Sequence, residues 1–146
     1  MEALVIDASI AVKWVVEEDG TEAALGLRGS FRLLAPELLI AECANILWKK
    51  VQRGEMRPEE ARMASRLLAR SGISFVPMQG MLEQATELAI ELAHPAYDCV
   101  YLVAARQARA RFATADQRLL RAIADRAPAD LARLCVSLAD LTGNGH

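Results

Sequence analysis

The sequence predicts an α/β fold: a three-layer α/β/α sandwich with a central, mostly parallel sheet. Apolar residues make up 53% of the 146 residues and aromatic residues only 5%, so the core is built mainly of Ala, Leu, Val and Ile. Such a core favours helices packed on a parallel sheet over a β-sandwich. Short, continuous apolar runs, which suit buried parallel strands, alternate with longer segments of helical periodicity. At this length we expect one domain with a full core.

The first half of the chain predicts two strands and three helices. Ala3–Ile6 is short and entirely apolar, as a buried strand should be. Pro36 has no amide hydrogen and suits the first turn of a long helix, and Gly54 suits its end. The predicted elements are a strand at 3–6, a helix capped by Ser9 and running through Trp14, a helix from Thr21 to Leu27, a strand at 31–35 and a helix from Pro36 to about Arg53.

The second half predicts four more helices and three short strands. Pro95 separates two of these helices, because the residue before a proline avoids the helical conformation. The predicted elements are a helix from Pro58 to before Gly72, a strand at 73–76, a helix at 81–93, a helix from Asp98 to about Arg109, a strand at 112–114, a helix from Asp116 to about Ala124 and a strand at 134–136. We expect a single domain at 1–141 and a flexible tail at 142–146.

Charge is distributed unevenly around a net value of −2. Residues 1–30 hold six acids against two basic residues, whereas residues 49–70 and 106–133 each hold seven basic residues against three acids. An acidic centre with basic flanks suits an enzyme that holds cations centrally and phosphates around them. Ordinary solvated helix faces explain either basic segment equally well when it is taken alone.

The cysteines and the hydropathy predict a cytoplasmic protein that does not enter a membrane. Cys43, Cys99 and Cys135 are odd in number and lie within apolar runs, so we interpret them as reduced, buried residues rather than redox or zinc ligands. No signal-peptide pattern is visible, and no apolar run approaches the roughly 18 residues of a membrane span.

Four carboxylates lie where an apolar segment begins, ends or is interrupted. Asp7 ends the first strand, Glu42 interrupts the long apolar helix, Asp98 opens an apolar helix and Asp116 follows a short strand. Burying an unpaired carboxylate is costly, and ligand sites in α/β sheets lie beyond the carboxyl ends of the strands. Together these acids predict a common, oxygen-liganded cation, either Mg²⁺ or Mn²⁺.

Taken singly, most of these acids have simpler explanations. Asp98 and Asp116 suit helix N-caps, and Asp7 suits hydrogen bonds to backbone amides at the strand end. Glu42 is different because it lies in the middle of an apolar stretch, with Asn45 on the same helix face as an orienting amide.

Two hydroxyl residues strengthen the prediction of a metal site. Ser9 and Thr114 each lie two residues from an acid, and their hydroxyls are expected either to orient a carboxylate or to bind a water ligand of the metal. The chemistry that fits is phosphodiester hydrolysis, in which divalent cations neutralise the phosphate and lower the pKa of an attacking water.

Four segments in order carry a resemblance to a known family. The chain resembles the PIN-domain ribonucleases, specifically the VapC-type toxins of bacterial toxin–antitoxin pairs, and nearly the whole chain takes part. The matching segments are Val5-Ile6-Asp7-Ala8-Ser9, Pro36-Glu37-Leu38-Leu39-Ile40-Ala41-Glu42-Cys43-Ala44-Asn45, Tyr97-Asp98-Cys99-Val100-Tyr101-Leu102-Val103-Ala104-Ala105 and Thr114-Ala115-Asp116.

The resemblance implies a PIN-like fold and a Mg²⁺-dependent endoribonuclease. Asp7, Glu42 and Asp98 would hold the catalytic Mg²⁺, Asp116 would bind it through water or hold a second ion, and Thr114 would fill the hydroxyl position beside it.

The resemblance also implies a homodimer and an antitoxin partner. An arginine of the antitoxin suits the acidic cluster, and the apolar helices around Trp14 and Trp48 suit an amphipathic helix.

The sequence is compatible with more than one function for this fold. RNA phosphates are expected to meet flanking arginines, among them Arg106, Arg109 and Arg118. A haloacid-dehalogenase-type phosphatase would need a second Asp where Ser9 stands. A PIN-like module that binds RNA or protein without a toxin role is the alternative.

Overall fold

The computed structural model describes residues 1–143. It contains five strands and nine α-helices within that range. The strands are β1 (Ala3–Ile6), β2 (Arg32–Pro36), β3 (Ser74–Val76), β4 (Arg111–Thr114) and β5 (Cys135–Ser137). The helices are α1 (Ala8–Ala11), α2 (Thr21–Ser30), α3 (Leu38–Gln52), α4 (Pro58–Ala69), α5 (Leu82–Leu92), α6 (Ala96–Ala108), α7 (Gln117–Arg126), α8 (Ala129–Ala132) and α9 (Leu138–Gly143). A 3₁₀ turn, Val12–Trp14, extends α1.

The strands form one sheet in the order β3-β2-β1-β4-β5, and every pair is parallel. Val5 of the central strand β1 is in register with Leu34 on one side and Phe112 on the other. The strand order reverses between β1 and β4, which makes their carboxyl ends the place where ligands bind in sheets of this kind. The predicted three-layer α/β/α sandwich is confirmed, and the sheet is entirely parallel.

The core is apolar on both faces of the central strand. Leu4, Val5 and Ile6 are completely buried, which explains why β1 is a continuous apolar run instead of an alternating one. Tyr101 of α6 is also completely buried, and its ring stacks on Phe112 of β4 with the ring centroids 5.9 Å apart. This contact fixes α6 against the sheet.

Most predicted elements are present with ends displaced by one to three residues, and two local predictions were wrong. Ser9 does not cap the first helix: Asp7 is its N-cap, and the Ser9 hydroxyl donates to the Asp7 carboxylate. Pro36 does not begin the long helix but ends β2, so α3 starts at Leu38. The short helices α8 and α9 were not predicted, since neither is long enough to show a helical period.

The predicted domain boundary at residue 141 falls within α9. Residues 144–146 lie outside the described part of the chain, so the flexible tail stays a prediction. Among the described residues, no helix combines the length and apolar character needed to cross a bilayer.

Candidate active site

A cavity of about 400 Å³ lies at the carboxyl edge of the sheet, at the reversal of strand order. Asp7, Glu42, Asp98 and Asp116 all line it, together with Ser9 and Asn45. The acids come from four places: the end of β1, the second turn of α3, the first turn of α6 and the end of β4. The structure therefore brings together all four acids that the sequence singled out.

The Asp7 carboxylate is buried and hydrogen-bonded through both oxygens. The Ser9 hydroxyl donates to Oδ1 at 2.5 Å, and the Thr114 hydroxyl donates to Oδ2 at 2.5 Å. Thr114 is itself completely buried and lies behind Asp7. Both hydroxyls accept in turn from β4-end amides, Ser9 from Ala115 N at 3.0 Å and Thr114 from Asp116 N at 3.0 Å. This network joins the ends of β1 and β4.

Burial raises the pKa of Asp7 to about 7. The hydrogen bonds from Ser9 and Thr114 oppose the increase because they favour the ionised form, whereas the nearby Asp98 and Glu42 add to it by like-charge repulsion. Without a positive charge nearby, the Asp7 carboxyl group therefore stays protonated at pH values well above the usual range for an aspartate.

The Glu42 carboxylate is held by Tyr101, a core residue that does not line the cavity. The Tyr101 hydroxyl donates to Glu42 Oε1 at 2.5 Å, and the Tyr101 side chain is completely buried. Partial burial raises the pKa of Glu42; the Tyr101 hydrogen bond lowers it, and repulsion from Asp98 raises it. Burial and the adjacent Glu42 also raise the pKa of the Tyr101 phenol, which keeps it a hydrogen-bond donor. Asn45 is exposed and lines the cavity, and Tyr101 is the residue that orients Glu42.

Asp98 has a partner that the sequence analysis did not identify. His94 Nε2 lies 2.6 Å from Asp98 Oδ2, and the His94 side chain is only 6% exposed. The sequence signal is a histidine four residues before an acid at a helix start, but His94 precedes the N-cap Pro95, so the contact arises from the turn between α5 and α6 and not from helical spacing. Asp98 is not an N-cap, because Pro95 occupies that position.

Asp116 combines its place in the cavity with a capping role. Its Oδ1 accepts from the amides of Arg118 at 3.0 Å and Leu119 at 3.2 Å, so it is the N-cap of α7. The capping interpretation left open by the sequence is therefore true of Asp116. It does not exclude a second role, since Oδ2 accepts no hydrogen bond from the described residues.

The three arginines named as RNA contacts lie at two different ends of the fold. Arg118 is exposed in the first turn of α7, beside Asp116. Arg106 and Arg109 lie at the other end of α6 from Asp98, roughly 12–17 Å along the helix axis at 1.5 Å per residue. Arg106 Nε is also within 3.5 Å of Asp130 Oδ2. Only Arg118 is next to the cavity.

The donor set fits a hard divalent cation. Four carboxylates and an amide are the oxygen ligands that Mg²⁺ and Mn²⁺ prefer, and burial, with a smaller contribution from repulsion between the acids, raises the pKa of Asp7 and of Glu42. Among residues 1–143, no three His, Cys, Asp or Glu side chains are gathered closely enough to hold an ion by themselves. The fit is therefore one of ligand chemistry and location, not of a completed coordination sphere.

Comparison with known proteins gives the family. A family model described as the PIN domain matches residues 4–125. The chain belongs to the PIN-domain family. Ribonuclease VapC3 of Pyrobaculum aerophilum is 31% identical over 122 residues, which are 80% of this chain and 91% of the relative. Ribonuclease VapC9 of Mycobacterium tuberculosis is 31% identical over 116 residues, covering 80% of this chain and 87% of the relative.

The fold agrees with a solved structure. The crystal structure of PAE2754 from Pyrobaculum aerophilum superposes with a TM-score of 0.72 at 19% identity, covering 97% of this PIN domain chain and 88% of that chain. At that identity the likeness concerns the fold alone. The resemblance to VapC-type PIN-domain proteins, inferred from the four segments, is confirmed by the curated relatives.

The raised pKa of Asp7 predicts how the stability of the metal-free protein depends on pH. The folded-state pKa of about 7 exceeds the ordinary value of 3.8, so the folded state binds more protons between these pH values. The free energy of unfolding should therefore fall by roughly 2–4 kcal/mol from pH 4 to pH 7 and then level off. Asp7→Asn should flatten this decline and be the more stable protein at pH 8. Urea unfolding in EDTA, repeated across this pH range and at pH 8, measures the free energy of unfolding of the wild type and of Asp7→Asn.

The matched control is Asp125→Asn, which removes an exposed carboxylate of α7 outside the cavity. It should follow the wild-type pH dependence. A decline of equal size in Asp7→Asn would show that another group causes it.

Proposed function

We propose that this chain is a Mg²⁺- or Mn²⁺-dependent endoribonuclease that acts in the cytoplasm as the toxin of a toxin–antitoxin pair. The observation that carries the proposal is the convergence of four carboxylates from β1, α3, α6 and β4 on one cavity at the reversal of strand order. The curated relatives named ribonucleases support RNA as the substrate.

Each site residue predicted from the sequence has a proposed role. Asp7, Glu42, Asp98 and Asp116 hold the cation, which when bound supplies charge neutralisation at the phosphodiester and a more acidic water. Thr114 and Ser9 hold the Asp7 carboxylate in place through their hydroxyls. Asn45 places an exposed amide beside the cavity as a supporting polar group.

Electrostatics gives these acids a reason to bind a cation. Burial, and to a smaller extent repulsion from Asp98, raises the pKa of both Asp7 and Glu42, so ionising all of them without a positive partner is unfavourable. A divalent cation reverses that repulsion. Binding should therefore release protons near neutral pH.

Removing the Asp7 charge should abolish catalysis. Asp7→Asn keeps the size of the side chain but removes a cation ligand, and we expect RNA cleavage to fall by more than about 100-fold, since changes outside the ligand set already cost 10–100-fold. EDTA should remove wild-type activity, Mg²⁺ or Mn²⁺ should restore it, and Ca²⁺ should support little turnover. A fluorogenic RNA cleavage assay with metal titration measures all of these.

The same assay separates the proposal from the alternative. Asp125→Asn should cleave like the wild type. Full wild-type cleavage in EDTA would overturn the metal mechanism. RNA binding without any cleavage in any divalent metal would instead favour a PIN-like binding module without a toxin role.

Among the three arginines, we propose Arg118 as the contact to RNA phosphate. It is exposed and next to Asp116, whereas Arg106 faces Asp130 at the far end of α6. In the Asp7→Asn background, Arg118→Glu should weaken RNA binding and reduce the slope of log K against log salt concentration by about one unit. Arg109→Glu is the matched control because it reverses one exposed charge at the opposite edge. Equal effects of the two variants on RNA binding would indicate that the overall charge of the protein attracts RNA, and not a specific contact between Arg118 and a phosphate.

The proposed partner is an antitoxin that covers the cavity. Four clustered acids attract an arginine, which binds carboxylates through two hydrogen bonds. Near the same end of α3, an apolar groove of about 310 Å³ between α3, α4 and β3 suits an amphipathic helix. Of the two tryptophans expected there, Trp48 is 55% exposed, but Trp14 is buried and donates to Ala24 O.

Co-expression tests the partner. Co-expressed with its antitoxin gene, the chain should give a soluble complex with suppressed cleavage, and sedimentation of the free chain should show the homodimer that the family resemblance implies. If the free chain is monomeric, is harmless on expression and does not bind the antitoxin, the proposed toxin role is contradicted. The proposed nuclease activity would not be affected by that result.

A further inference from the structure

His94 is a buried polar side chain that the proposed mechanism leaves unused. Its side chain is 6% exposed, while that of Asp98 is 25% exposed. Asp98 lines the cavity and His94 does not, so His94 lies behind Asp98 as seen from the substrate side. It cannot contact RNA there. The His94 side chain is hydrogen-bonded to the Asp98 carboxylate, which does line the cavity.

The corner between α5 and α6 fixes where His94 lies. Helix α5 ends at Leu92, and Ala93 adopts a left-handed conformation with φ of 50°. This turn lets the His94 amide donate back to Ala89 O at 3.2 Å, and Pro95 then caps α6. With its backbone tied to α5 and followed by a rigid residue, His94 has little freedom to leave Asp98.

The contact itself assigns one hydrogen. As a cation ligand Asp98 is a carboxylate, which only accepts, so in the 2.6 Å contact His94 Nε2 is the donor to Asp98 Oδ2. The other oxygen, Oδ1, accepts no hydrogen bond from the described residues. One oxygen of Asp98 is thus occupied by the protein, and one is left for a ligand in the cavity.

We propose that His94 is a positioning residue for Asp98. It holds Oδ2 so that the carboxylate presents Oδ1 to the cavity in a fixed orientation, in the way that carboxylate ligands of metals are themselves hydrogen-bonded by a second residue. The inference rests on the proposed function, because Asp98 must be a cation ligand for its orientation to matter.

A set of His94 variants tests this with the metal alone as the probe. His94→Phe keeps a ring of similar size but cannot donate, whereas His94→Gln places an N–H donor near the position of Nε2. We expect His94→Phe to weaken Mn²⁺ binding by about 10–100-fold in titration calorimetry. His94→Gln should recover most of that loss. In RNA cleavage, kcat should fall in His94→Phe while KM for RNA stays near the wild-type value.

A double-variant cycle with Asp98→Asn separates positioning from a purely structural role. If His94 acts through Asp98, His94→Phe should cost no further Mn²⁺ affinity once Asp98 is already Asn. A structural role would instead lower affinity by the same factor in both backgrounds. His94→Leu provides a second non-donor variant if His94→Phe does not fold.

The outcomes are distinguishable from failure of the proposed function. Wild-type Mn²⁺ binding with equal affinity in His94→Phe, His94→Leu and His94→Gln would overturn the role of His94 and leave the metal-dependent nuclease intact. A wild type that binds no Mn²⁺ and cleaves no RNA would overturn both.

Discussion

The pairing of β1 with β4 is the constraint on which the candidate site depends. Because these strands are parallel neighbours, their ends meet, and Asp7 reaches the Thr114 hydroxyl although the two residues are 107 positions apart in sequence. That hydrogen bond and the one from Ser9 replace part of the water lost on burial. They do not replace all of it, since the pKa of Asp7 stays near 7. The fold thus places a poorly compensated charge where other acids surround it.

Features that depend on local composition could be predicted from the sequence. A completely buried central strand has to be apolar at every position, so Ala3–Ile6 is recognisable without any structure. The four acids were recognisable for a related reason, because each interrupts or bounds apolar sequence where a carboxylate is costly. For Asp7 and Asp116, which follow β1 and β4, a shared cavity could be predicted from the parallel sheet, whose strand ends face the same edge.

Features that depend on contacts across the fold could not be predicted. The sequence does not show that Tyr101 is the donor to Glu42, since the two residues are 59 positions apart and Tyr101 looks like any aromatic core residue. His94 was close to Asp98 in sequence, but its burial depends on the left-handed Ala93 at the end of α5. The separation of Arg118 from Arg106 likewise follows from the direction of α6 across the sheet, which composition does not specify.

Three different species can relieve the same repulsion in the cavity, so the binding of each one affects the binding of the others. A proton on Asp7, a divalent cation and an arginine from a partner each offset the cost of the Asp7 charge, which arises from burial and, to a smaller extent, from Asp98 and Glu42. Under the proposed function they therefore compete, so acid conditions would weaken cation binding and an arginine in the cavity would displace the cation or be displaced by it. Inhibition by a partner and loss of the cation would then be one event, governed by one set of carboxylates.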